Sequence, residues 1–371
     1  MINKERLVEE FLRLVQIDSE SGNEGEIAGY LVNKFTELGL EAKEDDTKAK
    51  TEMGSGNVIA RLKGNKEADP ILFTCHMDTV TPGNGVKPVI NGDIIETDKT
   101  TVLGADDKAG IAALIEVMHL VKEEGLEHGD IELVLTTGEE VGLLGSSAVD
   151  MEALNAKYGF ALDSGGQVGE IIIASPDHAK INAKIHGVAA HAGVAPEQGV
   201  SAIEIVSKAI ANMPLGRMDE ELTANIGTIK GGERTNIVCD LVEITGEARA
   251  ITRSKLENQM ATMTKALEDA ASEMGGRVEI EVKYEDVGYK LTEDDRVIQV
   301  AKKVMTNIGR TPNLTATGGG SDANIFTIGG VPTANLGVGY LEIHSKNEKM
   351  PITELVKITE AVAEIIKVVA E

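Results

Sequence analysis

Tryptophan is absent from this chain and aromatic residues make up only 3% of it, which leaves little for a stacking surface that reads bases or sugars. Cysteine is scarce: Cys75 and Cys239 each sit in an apolar strand pattern, too few for a disulfide framework. Two buried free thiols in a reducing cytoplasm are the expectation, with a single disulfide as the alternative. No apolar run reaches the roughly 18 residues of a membrane-spanning helix. The opening MINKERLVEEFLRLV reads as an amphipathic helix carrying Glu and Arg rather than the apolar stretch of a signal peptide. Positive charge is also in short supply. With 36 basic against 61 acidic residues the formal charge is −25, so electrostatics oppose binding to nucleic acid or an anionic membrane.

At 371 residues the chain is too long for one ordinary core and fits two domains. Helical spacing of apolar residues covers 3–17 and 23–38, and strand-like runs follow at 57–62 and 70–75. Residues 107–124 predict a helix, rich in Ala and Leu, with acidic and basic residues on its outer face. Strands are expected at 131–137, 158–163 and 170–175. Continuous apolar runs separated by helices indicate a mostly parallel α/β sheet covered on both faces. Near Pro176 the rhythm changes to strand 179–187, helix 198–212, strands 222–230 and 235–250, helix 254–274 and strand 277–284. That βαββαβ order is ferredoxin-like. Helix 293–308, strand 331–337 and helix 352–369 then resume the first pattern. The expectation is a discontinuous catalytic domain, 1–177 plus 288–371, interrupted by an inserted domain at 178–287.

Residues suited to metal ligation recur at strand ends and loops of the outer domain. In FTCHMDT, His76 and Asp78 are two residues apart at a strand end and share a face, so the carboxylate could fix the imidazole tautomer. Asp106 ends a Gly-containing turn before a helix, where an acid is equally at home as a cap; Lys108 could balance Asp107 or be solvated. TTGEEVG sets Glu139 and Glu140 side by side after a buried strand, a repulsive pair unless protons or cations hold it. Asp163 ends another buried strand, and His344 lies in a polar loop. Each also has a bland reading as a turn former or surface charge. Together, two imidazoles and three carboxylates suit a pair of divalent ions, with Glu139 left over as a proton carrier.

The motifs HMDT, GADDKAG, TTGEEVG, ALDSGG, GVAAHAGVAPEQGVSAI, GGGSDAN and EIHSKNE follow the order found in the co-catalytic zinc peptidases and amidohydrolases. The chain resembles that family, which includes peptidase T, carboxypeptidase G and aminoacylase, along essentially its whole length. LGADDKAG is most similar to peptidase T. The resemblance implies one metal on His76, Asp106 and Asp163 and a second on Asp106, Glu140 and His344. It further implies that Asp106 bridges, Glu139 is the general base and Asp78 supports His76, with a cis peptide between Asp106 and Asp107. By the same similarity His191 stabilises the oxyanion, Arg249 binds a substrate carboxylate with Arg253 as a competing candidate, and Asn236 contacts substrate. Gly318, Gly319 and Gly320 would let a substrate backbone approach closely; the run lacks the lysine and spacing of a phosphate loop.

The expected function is amide hydrolysis in short peptides by two divalent ions, zinc being favoured over cobalt or manganese. Release of the N-terminal residue from tripeptides is the leading form. A deacylase or carboxypeptidase is the alternative, and a catalytically silent binding protein a third. The chain is shorter than peptidase T, so loops framing a tripeptide are expected to be trimmed. The inserted domain is expected to serve as a lid and to support a homodimer, in a cytoplasmic enzyme with no nucleic-acid or membrane partner.

Overall fold

The computed structural model describes residues 1–285 and 287–371, and among them the chain divides into two compact units. The first comprises 1–173, 291–316 and 321–371; the second comprises 174–290 and 317–320. The second therefore begins at Ala174 and takes in part of the glycine-rich stretch. Backbone bonding accounts for this: the Thr317 N–H donates to the Ala174 carbonyl at 2.9 Å, and the Ser175 hydroxyl to the Gly319 carbonyl at 2.8 Å.

In the first unit, Ile71–His76 pairs in parallel with Ile131–Thr136 on one side and Tyr158–Ser164 on the other. Thr333–Gly337 extends the parallel set beyond Tyr158–Ser164. Antiparallel strands flank it: Val58–Leu62 against Ile131–Thr136, then Glu41–Glu44, and Glu170–Ser175 against Thr333–Gly337. The central strands are buried at every position of Ile71–His76 and Ile131–Thr136, as double-sided coverage requires. Parallel strands end at one sheet edge, so His76, the loop after Thr136 and Asp163 emerge together.

The helix Ala105–Glu124 packs against Ile71–His76 and Tyr158–Ser164. A Cβ on Gly110 would lie 2.7 Å from the Cys75 sulfur and 2.9 Å from Leu162 Cβ, so only glycine permits that approach. The charged outer face expected on this helix is confined to its last turn, where Lys122, Glu123 and Glu124 are exposed. Asp106, Asp107 and Lys108 are buried at its N-terminal end, and Glu116 is buried beneath Lys4–Val15, which packs on this helix together with Ile352–Ala370. Glu116 is held by Arg6, whose Nε donates to it at 2.6 Å, and by the Asn3 N–H at 2.8 Å.

The second unit is an antiparallel sheet with Leu222–Gly231, Leu241–Ala250, Asp177–His186 and Arg277–Tyr284 as successive neighbours, the ferredoxin-like order. Ala179, Ile181, Ala183 and Ile185 alternate inward onto helices Ala202–Asn212 and Arg253–Met274. The strand expected from residue 235 starts only at Leu241. Residues 236–238 pair instead with the His191 loop, the Ala192 N–H donating to the Asn236 carbonyl at 3.0 Å and the Val238 N–H to the Ala190 carbonyl at 2.9 Å. Cys239 accordingly lies outside a strand and is half-buried, not buried as expected; Cys75 is buried, and both are free thiols.

Candidate metal centre

Five segments of the first unit deliver the site, Tyr158–Ser164 bringing Asp163. His76 closes its strand; Asp106 leaves a turn whose Gly104 has φ 71°, and the peptide between Asp106 and Asp107 is cis. Glu139 and Glu140 follow the strand Ile131–Thr136, and His344 has φ 56° in the loop before the last helix. Asp106 stands between the two imidazoles. Its Oδ1 is 3.0 Å from His76 Nε2 and its Oδ2 is 3.4 Å from His344 Nε2. Glu140 Oε1 is 2.9 Å from His344 Nε2, and Asp163 Oδ1 is 3.9 Å from His76 Nε2. Donor atoms of His76, Asp106 and Glu140 all lie within 4.8 Å of one another.

Asp78 is buried beneath this set and does more than face an imidazole. Its Oδ1 accepts the Glu139 N–H at 3.0 Å, and its Oδ2 accepts the Glu140 N–H at 3.3 Å and the Ser21 hydroxyl at 2.7 Å. His76 Nδ1 lies nearer the Asp78 carbonyl, 3.0 Å, than the Asp78 carboxylate, 3.5 Å. The carbonyl therefore sets the tautomer that leaves Nε2 facing Asp106. The carboxylate, which faces the same ring nitrogen at 3.5 Å, also shapes the turn that carries the two glutamates.

The electrostatics show what such a cluster wants. Burial raises Glu139 well above the usual carboxylate range, and Asp322, Glu140 and Asp106 push the same way. Burial likewise raises Asp163, with Glu139 and Asp106 adding to it. Against burial, the two imidazoles hold Asp106 low. Hydrogen bonding to Asp106 and Glu140 lifts His344 from 6.5 to about 10. Carboxyls pushed up by burial and by one another, beside an imidazole that its acids lift, mark a cluster short of positive charge. Lys108 is a cation within it, 1% exposed, and among the described residues its Nζ has no hydrogen-bonding partner. The solvated alternative for Lys108 is thereby excluded. Imidazole nitrogens and carboxylate oxygens converging on unmet negative charge fit divalent ions of the zinc, cobalt or manganese type.

Three participants were not singled out from the sequence. The Tyr340 hydroxyl, buried, lies 3.3 Å from Asp106 Oδ1 and 3.4 Å from Asp163 Oδ1. Asp322, buried in GGGSDAN, receives the Thr136 hydroxyl. Glu348 receives backbone N–H groups of the Asp106 turn. Only the phrase HSKNE, with an acid four residues after His344, could have pointed to the last.

His191, Asn236, Arg249 and Gly318–Gly320 belong to the second unit. His191 and Asn236 are neighbours there, His191 bridging to Ile237, and both are exposed. Arg249 Nη1 donates to the Gly318 carbonyl at 2.9 Å, and Arg249 Nε lies 3.3 Å from Glu247. Arg253 is engaged differently, stacked 4.0 Å over the Tyr284 ring and 3.0 Å from Glu257. A Cβ on Gly318 or Gly319 would meet nothing within 4 Å, so local packing does not demand glycine at either position.

The model of peptidase family M20/M25/M40 matches residues 72–368. An aminopeptidase PepT structure from Bacillus cereus is 55% identical, covers all of both chains and superposes with a TM-score of 0.97. A tripeptidase structure from Staphylococcus aureus is 44% identical, covers 100% of this chain and 99% of its own, and gives 0.98. Peptidase T of Listeria monocytogenes is 27% identical over 423 aligned positions, 99% of each chain. The chain belongs to peptidase family M20/M25/M40.

Proposed function

We propose that this member of the family is a two-cation aminopeptidase of short peptides, releasing the N-terminal residue of tripeptides. The observation that carries the reading is Asp106, one carboxylate offering an oxygen to each of two imidazole-bearing ligand sets. His76, Asp106 and Asp163 would hold one divalent ion; Asp106, Glu140 and His344 the other, with zinc favoured. Such a pair would supply a water of lowered pKa and polarisation of the scissile carbonyl. The aminopeptidase and tripeptidase matches support the substrate class. Their nearly complete mutual coverage means that this chain's loops match theirs in length, whereas the alignment with the Listeria peptidase T runs to 423 positions against 371 residues here, in line with loops trimmed relative to that protein.

The residues divide the work by environment. Glu139 belongs to neither ligand set and is assigned to taking a proton from the attacking water. It returns that proton to the amine as the C–N bond breaks. Its placement rests on Asp78, which holds the Glu139 N–H. Tyr340 donates between Asp106 and Asp163 and keeps their facing oxygens in register. The proposal extends to His191 as the group that steadies the oxyanion, Asn236 as a substrate contact and Arg249 as the anchor of the peptide carboxylate, for which a guanidinium fork is suited. Arg253, stacked on Tyr284 and paired with Glu257, stays the competing candidate, since Arg249 is itself engaged by Glu247 and Gly318. Open space beside Gly318 and Gly319 supports close passage of a substrate backbone there. Homodimerisation through the second unit and a cytoplasmic setting, suggested by two unpaired thiols, complete the reading.

The test is a panel of tripeptides, dipeptides and N-acetyl amino acids, assayed with protein of measured metal content. Tripeptide cleavage with two ions per chain is expected. Efficient N-acetyl amino acid hydrolysis without tripeptide cleavage would make the protein a deacylase.

A further inference from the structure

Glu348 belongs to no ligand set, yet its carboxylate is 2% exposed and fully committed to one turn. Oε2 accepts the N–H groups of Leu103 and Gly104 at 2.7 and 2.8 Å, and Oε1 accepts that of Asp106 at 3.1 Å. This is the turn that delivers Asp106. At its other end Glu348 is fixed in the loop that delivers His344. Leu341 and Lys349 exchange backbone hydrogen bonds of 2.9 and 3.0 Å across the base of that loop, and the Glu348 N–H donates to the Ser345 carbonyl at 3.1 Å. One buried side chain thus ties two ligand-bearing segments that are 242 residues apart between Asp106 and Glu348.

We propose that Glu348 is a positioning residue for the metal centre. It fixes the approach of Asp106 to His344, now 3.4 Å between Oδ2 and Nε2, and so sets the affinity for the ion shared by Asp106, Glu140 and His344. The inference rests on the two-cation reading given above. Chemistry supports a dedicated carboxylate here, since only two acceptor oxygens can hold three N–H donors at once. A glutamine would present an amide N–H₂ to at least one of them. Groups that orient ligands from behind act on metal affinity by roughly 10- to 100-fold.

An ordinary loop brace would cost stability without touching the metals, and Glu132 supplies that comparison. It is also 2% exposed and accepts the Asn155 and Ala156 N–H groups at 2.8 and 2.9 Å and Arg61 Nε at 2.9 Å, with no proposed ligand among its partners. The experiment strips the full-length protein with chelator and titrates it with Co²⁺, following heat and the visible absorption bands. The thermal midpoint of each metal-free protein is measured alongside. Wild type should take two equivalents. E348Q should keep one tight equivalent and weaken the other by about 10- to 100-fold with altered bands. E348D, which retains both oxygens, should recover part of that loss. E132Q should lower the thermal midpoint while binding Co²⁺ as wild type does. Two equivalents in E348Q, with wild-type affinity and bands, would overturn the assignment, as would equal weakening in E132Q. If E348Q does not fold, E348D decides: unchanged affinity and bands refute, a weakened second equivalent supports. Wild type that fails to take two equivalents would overturn the two-cation reading and this inference with it.

Discussion

Replacing Asp78 by Asn separates two jobs that this carboxylate could do. Had its task been to brace His76, the ion on His76, Asp106 and Asp163 would suffer. The distances argue otherwise, since His76 Nδ1 is 3.0 Å from the Asp78 carbonyl, which the substitution keeps, and 3.5 Å from the carboxylate. The carboxylate's shorter commitments are to Ser21 and to the Glu139 and Glu140 N–H groups. An asparagine amide must turn its N–H₂ toward one of these donor sets, leaving at least one buried N–H without an acceptor. That costs about 1–3 kcal/mol, or roughly 5- to 150-fold in an equilibrium constant. The loss should fall on the ion held by Glu140 and on kcat through a displaced Glu139, while the other ion stays within a few-fold of wild type. Competition against a chromophoric chelator resolves the two affinities, and kcat is read at saturating metal. Equal weakening of both ions, or no weakening of either, would refute the reasoning.

Glu139→Gln should lower kcat by roughly 10²–10⁴-fold with both ions retained, since the amide keeps the shape but takes no proton; Glu140→Gln should instead lose one ion, read by metal analysis. In the metal-free chain the protonated His344 pairs with Asp106 and Glu140, a contribution complete below pH 6.5 and lost as pH rises through about 10. Metal uptake near pH 7.5 should therefore displace that proton, detectable as acid release in weakly buffered solution, and apparent affinity should rise with pH; uptake without acid release would refute it. Mixing His191→Ala with Glu139→Gln protein should restore part of the activity if His191 serves a neighbouring subunit, and absence of recovery despite demonstrated exchange would assign it to its own chain. C-terminal amidation of a tripeptide should raise KM by about ten- to a hundred-fold if Arg249 anchors the carboxylate, and an unchanged KM would remove Arg249 from that role.

What the sequence disclosed of this site follows from local rules. A buried strand ending in His76, and another followed by Glu139 and Glu140, expose their chemistry through period-two alternation and the habit of parallel strands to end at one edge. The second layer obeys no local rule. Glu348 and Tyr340 find their partners far along the chain, 242 residues between Glu348 and Asp106, and 234 and 177 from Tyr340 to Asp106 and Asp163. Nothing in NEKM or VGY marks either side chain as buried. The helix Ala105–Glu124 misled for a related reason. Its charges sit at spacing that would suit solvent, but two distant helices pack on it, and Glu116 is buried against Arg6.

The same distinction explains why the metal ligands could be named before their supports. A ligand is chosen from few residue types and must stand where a strand or turn presents it, so type and place coincide in the sequence. A support is defined by the donor it satisfies. Asp78 holds the N–H groups of Glu139 and Glu140, and Glu348 holds those of Leu103, Gly104 and Asp106, five backbone donors whose only peculiarity is that they flank ligands. Burying such donors requires an acceptor, and one carboxylate can accept from several at once. The acids behind the centre are thus a consequence of folding irregular, ligand-bearing turns into a dry interior, and their charge is what the neighbouring Lys108, buried with no hydrogen-bonding partner among the described residues, is placed to offset.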